Sequence, residues 1–193
     1  MKAASIITIA DPGITLDRAK GWLRIDGDDE NDTITELIAE AYSELERRTG
    51  RLLREATADL TMDSLPHRRQ ELALPFAPLR SVVSLDYLDT NGVASSLTPH
   101  VCLGHLPGIL LPPTGEDWPL TQTDNAAAVT IRYECGATPD ATQKELEGCI
   151  KLMLDLAYSD LEPQQQRRLE SRRDAILRRW SIRDSRLAGI TYV

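Results

Sequence analysis

The stretch Arg24–Thr33, RIDGDDENDT, places five acids within ten residues between two segments whose apolar residues recur at helical spacing. Two readings compete for it. A calcium loop of the EF-hand type needs acids at positions one, three and five, Gly at six and a bidentate Glu at twelve. Counted from Asp26, the acids at Asp28 and Glu30 fit, but Asn31 stands where Gly is needed and Leu37 where the last carboxylate is needed. The other reading is a helix junction. Gly27 closes one helix, Asp28 or Asp29 caps the next, and Glu30 and Asp32 lie near its first turn, where the helix dipole favours negative charge. The residues fit the junction.

Working outward, Thr15 is a plausible N-cap, followed by Leu16, Ala19, Trp22 and Leu23 on one face. Beyond the junction, Ile34, Leu37, Ile38, Ala41 and Leu45 form a second stripe, with Arg47 and Arg48 in its last turn and Gly50 just past it. The middle of the chain changes character. Most of its prolines fall between Pro66 and Pro139, Asn91-Gly92 signals a tight turn, and Val129–Tyr133 reads as a strand. The last third is helical again, through Leu146, Ile150, Met153, Leu154 and Ala157. Pro163 stops or kinks the chain. A further amphipathic segment follows, with Leu169, Ile176, Leu177 and Trp180 on one side. From Ser181 onward no periodicity is evident, and the stretch reads as an extended arm. The expected class is α+β, a helical core with a small inserted β module. Its expected divisions are 1–54 (helical), 55–137 (β-rich), 138–162 (core helix) and 163–193 (basic helix and arm).

Composition narrows the function. The chain has 193 residues, a single Phe and a net charge of −8. From Gln164 to Val193 eight Arg face three acids, a surplus of five, which leaves −13 on the rest. So acidic a body argues against general affinity for nucleic acid, which needs clustered cations. A helix-turn-helix reading of the first two helices fails for the same reason: the second carries Glu36, Glu40, Glu44 and Glu46, which phosphates repel. Cys102, Cys135 and Cys149 show no CxxC spacing, which suits reduced, buried thiols in the cytoplasm. No apolar run approaches the roughly 20 residues of a membrane span, and no signal-peptide pattern opens the chain.

Sites of chemistry are scarce. His100, Cys102 and His105 could contribute to a zinc site, but their spacing matches no familiar ligand pattern. There is no G-x-S-x-G elbow, Walker A loop or G-x-G-x-x-G. No catalytic residue, metal ligand or cofactor is expected. The arginines of the last third, Arg167, Arg168, Arg172, Arg173, Arg178 and Arg179, come in three pairs. They form either a solvated basic face, with Glu170 and Asp174 pairing locally, or a surface that docks on an acidic protein with Trp180 as anchor.

Ile14–Leu53, ITLDRAKGWLRIDGDDENDTITELIAEAYSELERRTGRLL, resembles the opening of the head–tail connector (adaptor) proteins of tailed bacteriophages and gene transfer agents. The matching positions are Leu16, Ala19, Lys20, Leu23, Arg24 and Asp26, then Asp32, Ile38, Ala41 and Glu46, and last Thr49, Gly50 and Arg51. Further on, Leu72–Val93, LALPFAPLRSVVSLDYLDTNGV, is similar to the β insertion of a longer subfamily. Trp118-Pro119, VTIRYECG at 129–136 and the helix near Ile150–Tyr158 continue the likeness. The arginine-rich end beyond Gln164 departs from it.

The resemblance implies a non-enzymatic ring, usually matched to the twelvefold portal, at the head–tail junction of a virion or phage-like particle assembled in the host cytoplasm. Its implied partners are other copies of the chain, the portal protein and a head-completion or tail-terminator protein. DNA passes through without specific binding, and no membrane is involved. On this reading Asp28, Asp29 and Glu36 are candidates to face the lumen. Arg172, Arg173, Arg178, Arg179, Trp180 and Tyr192 are candidates to dock on the portal or a neighbouring subunit. The rival classes are a soluble ligand-binding or hydrolase domain built on the β module, which would need His100, Cys102 and His105 to converge in a pocket, and a dimeric DNA-binding regulator.

Overall fold

Lys20 organises the acidic junction. In the computed structural model, helix α1 (Leu16–Leu23) and helix α2 (Asn31–Thr49) flank it. The Lys20 ammonium donates to Asp28 Oδ1 at 2.9 Å, to Asn31 Oδ1 at 3.0 Å and to the Gly27 carbonyl. Thr15 is the N-cap of α1 as expected, its Oγ1 accepting from the Arg18 amide at 3.3 Å. Two expected roles shift. The left-handed residue closing α1 is Arg24 (φ 57°), while Gly27 (φ 95°) turns the loop beyond it. The residue before α2 is Glu30, which makes no side-chain capping bond. Asp28 does not cap because its carboxylate is already engaged. Hydrogen bonds from Lys20 and then Asn31 hold its pKa below the usual carboxylate value.

The structure describes residues 2–9, 13–103, 105–122, 125–136, 141–182 and 190–192. The chain forms two units, one comprising Met1–Asp11, Arg54–Gly136 and Arg183–Val193, the other Pro12–Leu53 and Ala137–Ile182.

The second unit is helical. It contains α1, α2, α3 (Ala141–Tyr158) and α4 (Pro163–Trp180). The apolar stripes read from the sequence meet in its core, where Ile34, Tyr42, Leu45, Leu146, Ile150 and Leu177 are buried. Each such side chain contributes roughly 1.5–3 kcal/mol on removal from water. The Tyr42 hydroxyl accepts from the Ile14 amide at 2.9 Å, which fixes the approach to α1. Pro163 begins α4 at its first position, where the missing N–H is harmless.

The first unit holds a six-stranded sheet in the order β5-β4-β8-β2-β1-β9 and a three-stranded sheet in the order β3-β7-β6. The larger sheet comprises β1 (Lys2–Ile9), β2 (Ala56–Met62), β4 (Leu79–Leu88), β5 (Ala94–Ser96), β8 (Val129–Cys135) and β9 (Ile190–Tyr192). The smaller comprises β3 (Leu72–Leu74), β6 (His100–Cys102) and β7 (Gly108–Leu111). Strands β2 and β8 alternate strictly. Ala58, Leu60, Ile131 and Tyr133 point into the core, while Asp59 and Arg132 form a bidentate pair at 2.7–2.8 Å on the other face. Tyr133 donates its hydroxyl to the Pro75 carbonyl (2.9 Å), and Gly108 leaves no room for a side chain against Leu79. The Asn91-Gly92 turn forms as expected, with Asp89 Oδ1 accepting from the Asn91 and Val93 amides at 2.8 and 2.9 Å.

Strand β1 corrects the expectation that residues 1–54 are helical throughout. Its signal is faint because Ala4 is its only buried residue and Ile7 and Ile9 stay 49% and 42% exposed. A bulge between Ile6 and Thr8 breaks the alternation further. Of the expected C-terminal arm, residues 183–189 and 193 lie outside the described residues, and Ile190–Tyr192 pair in parallel with Lys2–Ala4.

Candidate docking surfaces

Helix α4 has two faces with different duties. On its inner side Leu177 is 2% exposed, and Ile176 and Trp180 pack against the helical core. A latch ties its end to the end of α2. Thr49 is fully buried; its Oγ1 donates to the Leu45 carbonyl at 2.8 Å and accepts from the Arg51 amide at 3.2 Å. The Thr49 carbonyl accepts from the Ile182 amide at 2.8 Å. Gly50 takes the left-handed conformation (φ 69°) and donates its amide to the Glu46 carbonyl. Arg51 then donates through Nε to the Trp180 carbonyl at 2.8 Å, and its guanidinium lies 5.4 Å from the centre of the Trp180 ring. The Arg179 guanidinium lies 5.2 Å from the same ring. Trp180 is thus seated within its own unit, with its buried indole N–H left without a partner among the described residues. Glu46, Thr49, Gly50 and Arg51, four of the positions that carried the resemblance, build this latch. Their spacing was legible in the sequence, and their joint role was not.

The outer face of α4 is basic. Arg167, Arg168, Arg172 and Arg178 are exposed and have no hydrogen-bond or ion-pair partner among the described residues. Arg179, also exposed, meets Glu145 at 3.3 Å. Arg173 turns inward and pairs with Asp174 at 3.0 Å, and Arg48 of α2 reaches the same carboxylate at 3.3 Å. Partial burial is the largest single influence on Asp174 and pushes its pKa up, but Arg173 and Arg48 together outweigh it and hold the group below the usual carboxylate range. Of the six expected docking residues, Arg172, Arg178 and Arg179 are presented to solvent. Arg173 and Trp180 are largely engaged within the unit, and Tyr192 stands in β9 opposite Ala4.

The acids divide similarly. Asp28 is held by Lys20, whereas Asp29, Asp32, Glu36 and Glu40 are exposed and without partners among the described residues. The last three follow one another at intervals of four along α2, so they share a stripe. The sequence reading named Asp28, Asp29 and Glu36 but did not recognise this row, although its spacing was visible.

His100, Cys102 and His105 do not assemble a centre. Of the three, only His100 borders the shallow groove beneath Pro112 and Pro113, and no three His, Cys, Asp or Glu side chains among the described residues could share a metal ion. A larger open groove of about 910 Å³ in the β unit is lined by Trp118, His67, Arg68, Glu71 and Asp117. Burial pushes the pKa of the Cys149 thiol up to about 11, so it stays protonated at neutral pH. No helix among the described residues is long and apolar enough to cross a membrane.

The helical unit thus presents exposed charged faces, most of whose charges have no partner among the described residues, and the β unit is built mainly of antiparallel strands. Residues 13–84 match the family described as Phage gp6-like head-tail connector protein. The match covers the stretch, Ile14–Leu53, on which the sequence resembles connector proteins. Solved structures extend the likeness of fold over nearly the whole chain. A chain from the neck of an empty gene transfer agent (GTA) particle, computed with C6 symmetry, superposes with a TM-score of 0.73 at 17% identity, covering 96% of this chain and 98% of that one. A chain from the virion of a native GTA particle gives 0.68 at 19% identity, with coverages of 96% and 98%. One from the neck of a native GTA particle, computed with C12 symmetry, gives 0.64 at 21% identity, with coverages of 94% and 96%. No curated protein matches the chain.

Proposed function

We propose that this chain is the subunit of a head–tail connector ring, a structural rather than catalytic component of a phage or phage-like particle. The observation that carries the reading is the match of residues 13–84 to the connector family, and the full-length likeness to neck chains supports it. Necks of sixfold and twelvefold symmetry provide the precedent for a ring of many copies at the head–tail junction. A closed ring requires a heterologous interface, in which two different patches of one subunit meet those of its neighbours. Both the basic face of α4 and the acidic row of α2 are free for such use.

The finer assignment is that the ring seats on a portal protein and hands DNA on to the next protein of the tail without binding its sequence. The strongly negative body supports passage over capture. The test is the mass of the purified protein by light scattering after size exclusion, alone and with the portal protein from the same genome. A ring of about a dozen subunits, alone or on the portal, is the expected result. A 21.5 kDa monomer that ignores the portal would overturn the reading.

A further inference from the structure

We infer that the arginine face of α4 in one subunit docks against the acidic row of α2 in the next copy of this chain. The inference rests on the ring reading and names the patches that close it. On a helix each residue advances about 100°. Arg167, Arg168, Arg172, Arg178 and Arg179 therefore fall within an arc of about 140°, which faces solvent. Asp32, Glu36 and Glu40 fall within about 80° on α2, also facing solvent. At a rise of 1.5 Å per residue the basic face is about 16–18 Å long and the acidic row about 12 Å, so the one can cover the other.

Each patch is unfavourable alone. Asp32, Glu36 and Glu40 repel one another at successive four-residue spacings, as do Arg168 and Arg172. Glu145 is the sole acid paired with the arginine face among the described residues. Other charges of the unit do meet opposite partners, as in Arg18–Glu147 at 3.0 Å, Lys20–Asp28 and Arg48–Asp174. Two rows of like charge, opposite in sign to one another, are places where a partner supplies what the subunit lacks. A second copy supplies both, because each subunit carries one patch of each sign. This heterologous arrangement needs no second kind of molecule. It also assigns Glu36 to a subunit boundary and not to the wall of the channel.

The test uses two full-length variants, R167E/R168E/R172E/R178E, acidic on both faces apart from the Glu145-paired Arg179, and D32K/E36K/E40K, basic on both faces. Assembly is followed by sedimentation velocity, and folding by circular dichroism. Each variant alone is expected to need at least about tenfold more protein than wild type to assemble, since like faces then meet. An equimolar mixture is expected to recover assembly, because every boundary in an alternating ring again joins opposite signs. If either variant alone assembles as wild type does, or if the folded variants fail to rescue each other, the pairing is wrong while a wild-type ring still stands. Wild-type protein that stays monomeric at every concentration and on the portal would overturn the ring and this pairing together.

Discussion

Thr49 shows how one side chain can position an entire helix. It is fully buried, and its hydroxyl both donates and accepts, so replacing it with the isosteric Val removes the hydroxyl's bond to the Leu45 carbonyl and the one it accepts from the Arg51 amide. Thr49→Val is expected to cost about 1–3 kcal/mol, read as a lower urea midpoint, with Thr49→Ser much milder. Asp174 makes a prediction of its own. Its folded-state pKa lies below the unfolded value, so the unfolded chain takes up the proton first. The stabilisation is present above about pH 4 and is lost as pH falls through the folded value. Asp174→Asn should flatten that acid limb in urea melts compared at pH 7 and pH 3. An unchanged limb would show that other carboxylates set it. At this scale the sequence was partly readable. Thr15 and Gly50 announced their capping roles through residue type and position. The engagement of Asp28 was hidden, because it depends on where Lys20 lies across a turn.

Among the elements, long periodic helices were the most legible, since a stripe such as Leu146, Ile150, Met153 and Leu154 can be buried only as a helix. Strand β8 was also readable, as Val129–Tyr133, because alternation survives when one face is buried. Strands β1 and β9 were missed as strands because their pairing is decided by distant chain, Lys2 against Met62 and against Ile190. Gly136 gives a test of a constraint that only the fold reveals. It has φ +105°, and a Cβ placed there would lie 2.1 Å from the Arg54 carbonyl oxygen. Gly115 is also at positive φ (+90°), but nothing lies within 4 Å of its Cβ position. Gly136→Ala should therefore cost about 2–5 kcal/mol through strain and overlap, and Gly115→Ala about 1–2 kcal/mol through backbone strain alone. Equal losses in denaturant melts would mean the close approach relaxes cheaply.

For the whole molecule, the chain begins in the β unit, leaves it for the first two helices, returns after Leu53, and leaves again after Gly136. Apolar periodicity and turn signals foretold an α+β protein, but reading the chain in order made the β unit a simple insertion. Its first and last strands come from the two ends of the sequence, and no local pattern reports that. The expected surfaces were half legible: the paired arginines were evident, while their division into inward and outward members required the packing of α4. Assembly through exposed charge also carries an ionic-strength signature. The Debye length falls from about 10 Å at 0.1 M salt to about 3 Å at 1 M, so rings should dissociate over that range while the circular dichroism of the subunit is unchanged. Salt-indifferent assembly would point to an apolar boundary instead.

The latch between Thr49 and the end of α4 has an evolutionary consequence. It holds the helix by main-chain groups and by inward side chains such as Leu177 and Trp180, so the outward arginines contribute little to keeping α4 in place. Mutations can therefore accumulate on that outer surface without eroding the scaffold beneath it. A lineage could exchange the identity of its assembly contacts, one side chain at a time, while every intermediate still folds.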